Sequence, residues 1–451
     1  QELLITQSSA GVMSPEIACE QAMRTVLSGP ACAPAAGVYT GQLYGIDNLI
    51  TTDMGGTSFD VTLIKDGKPW MTDETKVAQV HCIRLPMVDV WTIGAGGGSI
   101  AWLGKGNALH VGPQSAGATP GPAAYRKGGK EPTTTDADFL LGYLNPDFYL
   151  GGEFPVSLDL ARQAIKERIA DPLGIDVVEA ARSMVRILNS AMVDAISAVS
   201  VRRGEDPRRY AMVAAGGAGP VHAPALARAL RMRKIIVPRL SSVFCAMGGV
   251  ISDLRHDFVR TVNWRTGRLD YDALNQAYEE LEQEAHRLLE REQIPPHDRY
   301  FKRTIDMRYL GQFHEVDVDV PNEVLGPGQM AEVVGRFGEK HEAMYAYRDV
   351  VETELINIRV TGFGRVVKMS LKEYPYSTED PREHQKGTRE VFFEEADGFV
   401  TTPIYDGDAM QHGNAVEGPA VIEQKITTIV VPPGFSIQVG KYGDYLMEVP
   451  E

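Results

Sequence analysis

The sequence predicts an α/β protein with a smaller, strand-rich C-terminal domain, and three observations carry that reading. A strand-like run at residues 48–52 is followed by a glycine turn and a returning run at 59–64, the pattern of a tight hairpin. A second short strand at 210–214 runs into Gly216-Gly217-Ala218-Gly219-Pro220 and then a helical pattern carrying His222 to Leu230. Near residue 260 the glycine clusters stop, and beyond an acidic amphipathic helix at 271–292 the chain becomes mostly strand-like.

Composition narrows the class of protein. The 451 residues carry 60 acidic and 45 basic side chains, a formal net charge of −15, which excludes a general nucleic-acid binder that needs a basic stripe. Hydrophobic content of 43% and charged content of 23% are ordinary globular values and exclude collagen-like, disordered and coiled-coil chains. The length suits two to three domains at ~150 residues each. No apolar run reads as a membrane span, and the opening Gln1-Glu2-Leu3-Leu4 has no signal-peptide pattern. Cys19, Cys32, Cys82 and Cys245 lie far apart with no CxxC pair, so reduced, mostly buried thiols of a cytoplasmic protein are expected. The outlier is glycine: 45 residues, above the average usage of about 7%. The glycines gather in clusters between residues 28 and 249, where backbone is expected to approach a ligand.

The remaining elements follow from caps and periodicity. Ser14-Pro15-Glu16 opens a short helix, with serine as cap and proline in the first turn. Helices are expected at 157–168 and 177–203; in the second, Asp176 and Glu179 have capping-box spacing and Gly204 supplies the stop. Residues 92–152 read as loop-rich. Further strands are expected at 235–237, 304–309, 314–320, 354–363, 420–422 and 427–431, with a domain boundary near 260 that separates residues 1–260 from 261–451.

Two segments carry chemistry. In Thr51-Thr52-Asp53-Met54-Gly55-Gly56-Thr57-Ser58-Phe59-Asp60 a strand ends in an acid, followed by two glycines and two hydroxyls. Glycines let N–H groups turn onto phosphate oxygens, hydroxyls add donors, and the acid suits a hydrated magnesium ion or an attacking water. The same residues also fit a plain hairpin turn. At Gly216 to Gly219, small residues between strand and helix let a nucleoside lie against backbone, and they equally permit close helix–strand packing. There is no GxxxxGK[ST] and no GxGxxG opening a helix, which excludes a P-loop enzyme.

Together the two segments resemble the second phosphate loop and adenosine loop of actin-like ATPases. Thr92-Ile93-Gly94-Ala95-Gly96-Gly97-Gly98-Ser99-Ile100, residues 111–123, Ala215 to Ala223, Ser28-Gly29-Pro30-Ala31 and Arg308-Tyr309-Leu310-Gly311-Gln312 resemble the hydantoinase A / 5-oxoprolinase family over essentially the whole chain. The resemblance implies an actin-like (ribonuclease H-like) ATPase fold in residues 1–260, incomplete at its N-terminal end, and the family's C-terminal α+β domain in 261–451. It implies ATP and magnesium, with phosphorylation activating an amide or ketone oxygen. By the same resemblance Asp53 acts on magnesium or the attacking oxygen. Gly55, Gly56, Thr57 and Ser58 hold phosphate, and Gly216, Gly217 and Gly219 border adenosine. Asp60 is placed either behind Asp53 or facing solvent. The implied partners are a hydantoinase B-type subunit carrying a transition metal (zinc or manganese) and a small zinc-binding subunit, in a cytoplasmic hetero-oligomer.

The family's first D-x-G-G-T-type loop does not precede residue 50. One jaw of the nucleotide clamp is therefore expected on another polypeptide or in a missing part of this one. Three functions remain: hydrolysis of a cyclic amide, ketone carboxylation, and a non-catalytic scaffold subunit. His81, His110, His222, His256, His314 and His341 lack the spacing of a dedicated metal site. His222 beside the glycine junction is open to a substrate, capping or packing role, and Asp136 to capping a helix. Pro113-Gln114-Ser115-Ala116-Gly117 lacks the first glycine of a nucleophile elbow, and Cys82 and Cys245 have no feature of an activated thiol. The segment His81 to Met87 is a candidate border of the substrate.

Overall fold

The last strands of the chain do not stay with their sequence neighbours. Tyr445–Glu448 pairs antiparallel with Lys234–Val237, setting Met447 opposite Ile235 and Tyr445 opposite Val237. The chain accordingly packs as two units of two segments each, Gly29–Val250 with Met369–Glu451 and Gln1–Ser28 with Ile251–Lys368. The expected boundary near 260 falls inside the Leu254–Arg265 strand. This computed structural model describes residues 3–77 and 81–450; the side chains of 73–77, His81, Cys82 and Arg84 lie outside the described residues, including part of the candidate substrate border.

The larger unit is built on a mixed sheet of nine strands among the described residues. Its middle is parallel: Leu49–Met54 and Lys234–Val237 flank Ala211–Ala215, and Phe59–Lys65 returns antiparallel beside Leu49–Met54. Side chains alternate between two cores. Leu49, Ala211, Val213 and Ile236 face the Ala33–Tyr44 helix side, and Ile50, Met54, Met212 and Ala214 face the Val177–Val199 and Gly219–Ala229 helices. Burial on both faces is why these strands read as unbroken apolar runs.

The Val177–Val199 helix starts where the sequence places it, with Asp176 Oδ1 accepting the Val178 N–H at 2.7 Å, and Gly204 at φ 79° follows its short 3₁₀ extension. By length and mean hydropathy the 177–203 stretch can cross a membrane, contrary to the sequence reading, but half of its most apolar window is buried. Met184, Leu188, Met192 and Ile196 recur at helical spacing inside the cores of this unit, the signature of a core helix.

Residues 92–152, expected as loops, contain the Ser99–Leu103 and Leu109–Ser115 strand pair and the Thr134–Leu140 helix. Glycine and proline interruptions hide the short strands from a periodicity argument. The helix expected at 157–168 is α-helical over Leu158–Ile165 and continues as a π turn over Lys166–Ala170.

In the smaller unit the Tyr271–Arg291 and Pro327–Tyr345 helices cover a sheet whose longest strands are Leu254–Arg265, Arg299–Tyr309 and Thr353–Gly364. The first of these strands and the second helix had no clear sequence pattern. A buried His256–Glu292 pair at 2.6 Å ties the helix end to the Leu254–Arg265 strand.

The C-terminal segment of the larger unit adds a four-stranded sheet that buries Glu423 to 1% exposure. Its oxygens accept from Lys386 Nζ at 2.8 Å and Arg389 Nη1 at 2.7 Å. Burial alone would raise this carboxyl, but the two cations outweigh it and hold it below the ordinary range. Removing one member of a buried ion cluster strands the others, so Glu423→Gln is expected to cost about 3 kcal/mol at neutral pH, read by melting. A depressed folded pKa stabilises fully above the unfolded value of about 4.3 and loses that stabilisation as pH falls through the folded value. The gap between wild type and variant should therefore close in acid.

Candidate nucleotide site

The hairpin is tighter than the sequence suggests: Asp53 and Met54 are still in the Leu49–Met54 strand, and only residues 55–58 form the turn. Gly55 N–H donates to Ser58 O at 3.2 Å and closes it. Asp53 pairs directly with Asp60 across the strands, so both side chains stand on one face of the hairpin. Behind them the Thr51 and Thr62 hydroxyls share a 2.5 Å hydrogen bond, and Thr52 donates to Val213 O at 3.2 Å.

The turn rests on the loop at 94–98. Gly97 N–H donates to Gly55 O at 3.0 Å, Gly98 N–H to Gly56 O at 2.7 Å, and the Ser115 hydroxyl to Gly56 O at 3.4 Å. A Cβ at Gly96 would lie 2.6 Å from Thr57 N, so only glycine permits this approach. The glycine loop was expected to meet a ligand; it meets the backbone of the other loop instead. In a planar trans peptide the N–H points opposite to the C=O. With both carbonyls held by the 94–98 loop, the Gly56 and Thr57 N–H groups point away from it, and both residues are exposed. A Cβ at Gly55 or Gly56 would meet nothing within 4 Å, so the outer side of the turn is open.

The glycine junction divides its work. Gly216 has φ +80° and no room for a Cβ, which would collide with the Met54 carbonyl. Ala218 N–H donates to that same carbonyl at 3.1 Å, so this part of the junction is packing. Gly217 is open apart from Ile426 O at 3.5 Å from its Cβ position, Thr427 donates to its carbonyl at 2.9 Å, and Gly219 has only Met54 nearby.

The electrostatics of the pair are set by burial. Desolvation pushes the Asp53 carboxyl above the usual range; a Cys245 hydrogen bond at 3.2 Å offsets part of this and the Asp60 charge adds to it. Burial likewise raises Asp60, partly offset by the Thr92 hydroxyl at 2.6 Å and the Ser58 hydroxyl at 3.3 Å. Asp60 is half-buried beside Asp53 and belongs to a polar cluster with Ser58 and Thr92. Two desolvated carboxylates on one face gain most from a divalent cation. Hard oxygen donors suit magnesium, which uses one or two carboxylates and completes its shell with water and phosphate. Among the described residues no three His, Cys, Asp or Glu side chains gather as a metal site.

Other candidates are taken up in structure. His222 is 2% exposed; its Nδ1 is 2.9 Å from Asn189 Oδ1 and its Nε2 3.5 Å from Asp138 Oδ2, a packing position in the first turns of the junction helix. Asp136 accepts N–H groups from Ala123, Ala124 and Thr133 and the Thr133 hydroxyl, capping the Thr134–Leu140 helix. Ser115 serves the turn. Cys19 is exposed, contrary to expectation, while Cys32 is buried. Thr92 and Cys245 engage the aspartates from elsewhere in the chain; Thr92 opens the glycine motif at 92–100 and Cys245 was read as an unactivated thiol, but no spacing in the sequence pairs either with an aspartate.

The hydantoinase/oxoprolinase model matches residues 1–258, and the model of that family's C-terminal domain matches 268–444. The chain belongs to the hydantoinase/oxoprolinase family. It is 37% identical over 443 residues to the caprolactamase subunit alpha of Pseudomonas jessenii, covering 97% of this chain and 64% of the relative. Its structure matches the crystal structure of the ATP-dependent caprolactamase from that organism with a TM-score of 0.86 at 36% identity, over 99% of this chain and 65% of the other. It matches nucleotide-free acetone carboxylase with a TM-score of 0.82 at 28% identity, over 99% and 64%. The chain thus spans just under two thirds of the length of these hydantoinase/oxoprolinase relatives. Its fold is the mixed α/β, actin-like ATPase fold with a C-terminal domain.

Packing glycines and open glycines should separate on substitution. Gly216→Ala is expected to lose about 2–4 kcal/mol from overpacking at a positive φ. Gly56→Ala, whose Cβ would meet nothing within 4 Å, should stay within ~1 kcal/mol of wild type in stability, with its loss confined to nucleotide binding. Thermal melting and calorimetric titration with ATP read the two effects.

Proposed function

We propose that this chain is the ATP-binding, A-type subunit of a hydantoinase/oxoprolinase-type complex that hydrolyses a cyclic amide (5-oxoproline, a hydantoin or a lactam) with ATP and magnesium. The observation that carries the proposal is the hairpin turn, whose Gly56 and Thr57 N–H donors have no partner among the described residues and lie beside two desolvated carboxylates. Similarity to a caprolactamase subunit along 97% of the chain supports the amide substrate.

An amide carbonyl is a poor electrophile, and phosphorylating its oxygen makes the carbon attackable by water. Phosphoryl transfer depends mainly on positioning and charge neutralisation, which is what a phosphate-gripping turn supplies. In this scheme the Gly56 and Thr57 N–H groups and the Thr57 hydroxyl hold phosphate oxygens, while the Gly55 N–H and the Ser58 hydroxyl, expected to join them, are engaged by Ser58 O and Asp60. Gly216 shapes the junction, and Gly217 and Gly219 border the nucleoside. Bound magnesium supplies neutralisation of phosphate charge, and Asp53 is the residue that would hold it or orient the attacking oxygen. A B-type subunit with zinc or manganese, and a small zinc-binding subunit, complete the complex. An ATP-driven reaction places it in the cytoplasm, where ATP is supplied.

The structural likeness to acetone carboxylase favours a second reading, in which the same phosphorylation activates a ketone for carboxylation. The assembled complex decides. ATP turnover stimulated by 5-oxoproline, a hydantoin or a lactam is the expected result, and stimulation only by a ketone with bicarbonate selects the carboxylase. Asp53→Asn should lower either rate by about 100-fold or more; undiminished turnover in that variant would leave the chain a scaffold.

A further inference from the structure

Asp53 has a neighbour that neither a phosphate loop nor a magnesium site requires. Cys245, in the first turn of the Phe244–Ile251 helix, places its Sγ 3.2 Å from Asp53 Oδ2. A carboxylate only accepts, so the thiol is the donor. Oδ1 of Asp53 accepts no hydrogen bond from the described residues, which leaves it for a ligand.

The helix that carries Cys245 is pinned from two sides. Ahead of it, Ser241 O accepts the Gly216 N–H at 2.8 Å, tying it to the glycine junction. Along it, Gly248 lies so close to the Cys32 carbonyl that a Cβ would collide with it. The thiol thus approaches the carboxylate from a fixed direction. A Lys or Arg at the same place would neutralise Asp53 and compete with a cation, whereas a neutral S–H holds one oxygen and leaves the negative charge in place.

We propose that Cys245 is a positioning residue for Asp53: its S–H fixes the orientation of the carboxylate and presents Oδ1 to the phosphate and magnesium side of the hairpin. This rests on the assignment of Asp53 to the nucleotide site. Partners behind a ligating group typically change affinity or rate by about 10- to 100-fold when removed, and a lone neutral thiol belongs at the lower end.

The test uses the assembled complex with Cys245→Ala, Cys245→Ser and Cys245→Val, and with Asp53→Asn alongside. Four quantities are read: kcat, KM for ATP, the magnesium dependence of binding a non-hydrolysable ATP analogue by calorimetry, and the melting temperature. Cys245→Ala is expected to lower kcat about 10-fold and to raise the magnesium concentration needed for analogue binding, with KM for ATP within about twofold of wild type. Cys245→Ser, which keeps a donor, should recover most of both losses. Cys245→Val keeps the volume without the donor, so it should melt close to wild type yet share the alanine variant's deficit. Wild-type kcat and magnesium dependence in Cys245→Ala and Cys245→Val, or a serine variant as impaired as alanine, would overturn the positioning role. An inactive Asp53→Asn beside unimpaired Cys245 variants overturns this inference alone, whereas an unimpaired Asp53→Asn removes the nucleotide-site reading and this inference with it.

Discussion

The candidate site depends on one constraint: the hairpin turn must be held firmly without using the groups that a ligand needs. Its two carbonyls are tied to the N–H groups of Gly97 and Gly98, and peptide planarity then turns the Gly56 and Thr57 N–H groups outward. Each tie contributes about 1 kcal/mol net, but the geometric effect matters more. Backbone can approach backbone this closely only where side chains are absent, which accounts for Gly96 on one side and Gly216 against Met54 on the other. Gly96, Gly97, Gly98 and Gly216 therefore build the seat of the turn.

Charge is arranged around the same turn. Asp53 and Asp60 stand opposite each other, partly stripped of water, with hydroxyl and thiol donors instead of cations as their partners. Elsewhere in the larger unit a buried carboxylate has the opposite treatment: Glu423 is clamped by Lys386 and Arg389 and is spent on stability. The contrast separates a carboxylate kept available from one neutralised in place. Asp136 is a third case, saturated by backbone donors as a helix cap.

The arrangement of the chain serves the sheet that presents this turn. Leu49–Met54 and Ala211–Ala215 lie parallel, so Asp53 and the glycine junction emerge at the same edge, Asp53 directly beside Ala215. Helices cover both faces, and the far edge is extended by strands from the C-terminal segment, which is why residues after 369 return to the larger unit. Sequence proximity governs neither unit; strand pairing does.

The hairpin and the glycine junction were legible in the sequence because their chemistry is local. A tight turn needs glycines at fixed offsets, a helix start shows its cap at Asp176, and a strand buried on both faces shows an apolar run. The hairpin and junction, with the motifs at 92–100 and 111–123, also carried the resemblance to the hydantoinase/oxoprolinase family. Which glycine packs and which stays open was decided only by tertiary structure, since Gly55 and Gly216 are alike as letters and differ in what lies within 4 Å. So were the partners of the aspartates: Thr92 is 32 residues from Asp60 and Cys245 is 192 from Asp53, brought in by a strand pairing and a pinned helix. The sequence by itself determined the local conformations and the kind of chemistry they allow. The packing of distant segments determined which groups remain free to perform it, because hydrogen-bond partners across such separations follow from the fold and from no spacing in the chain.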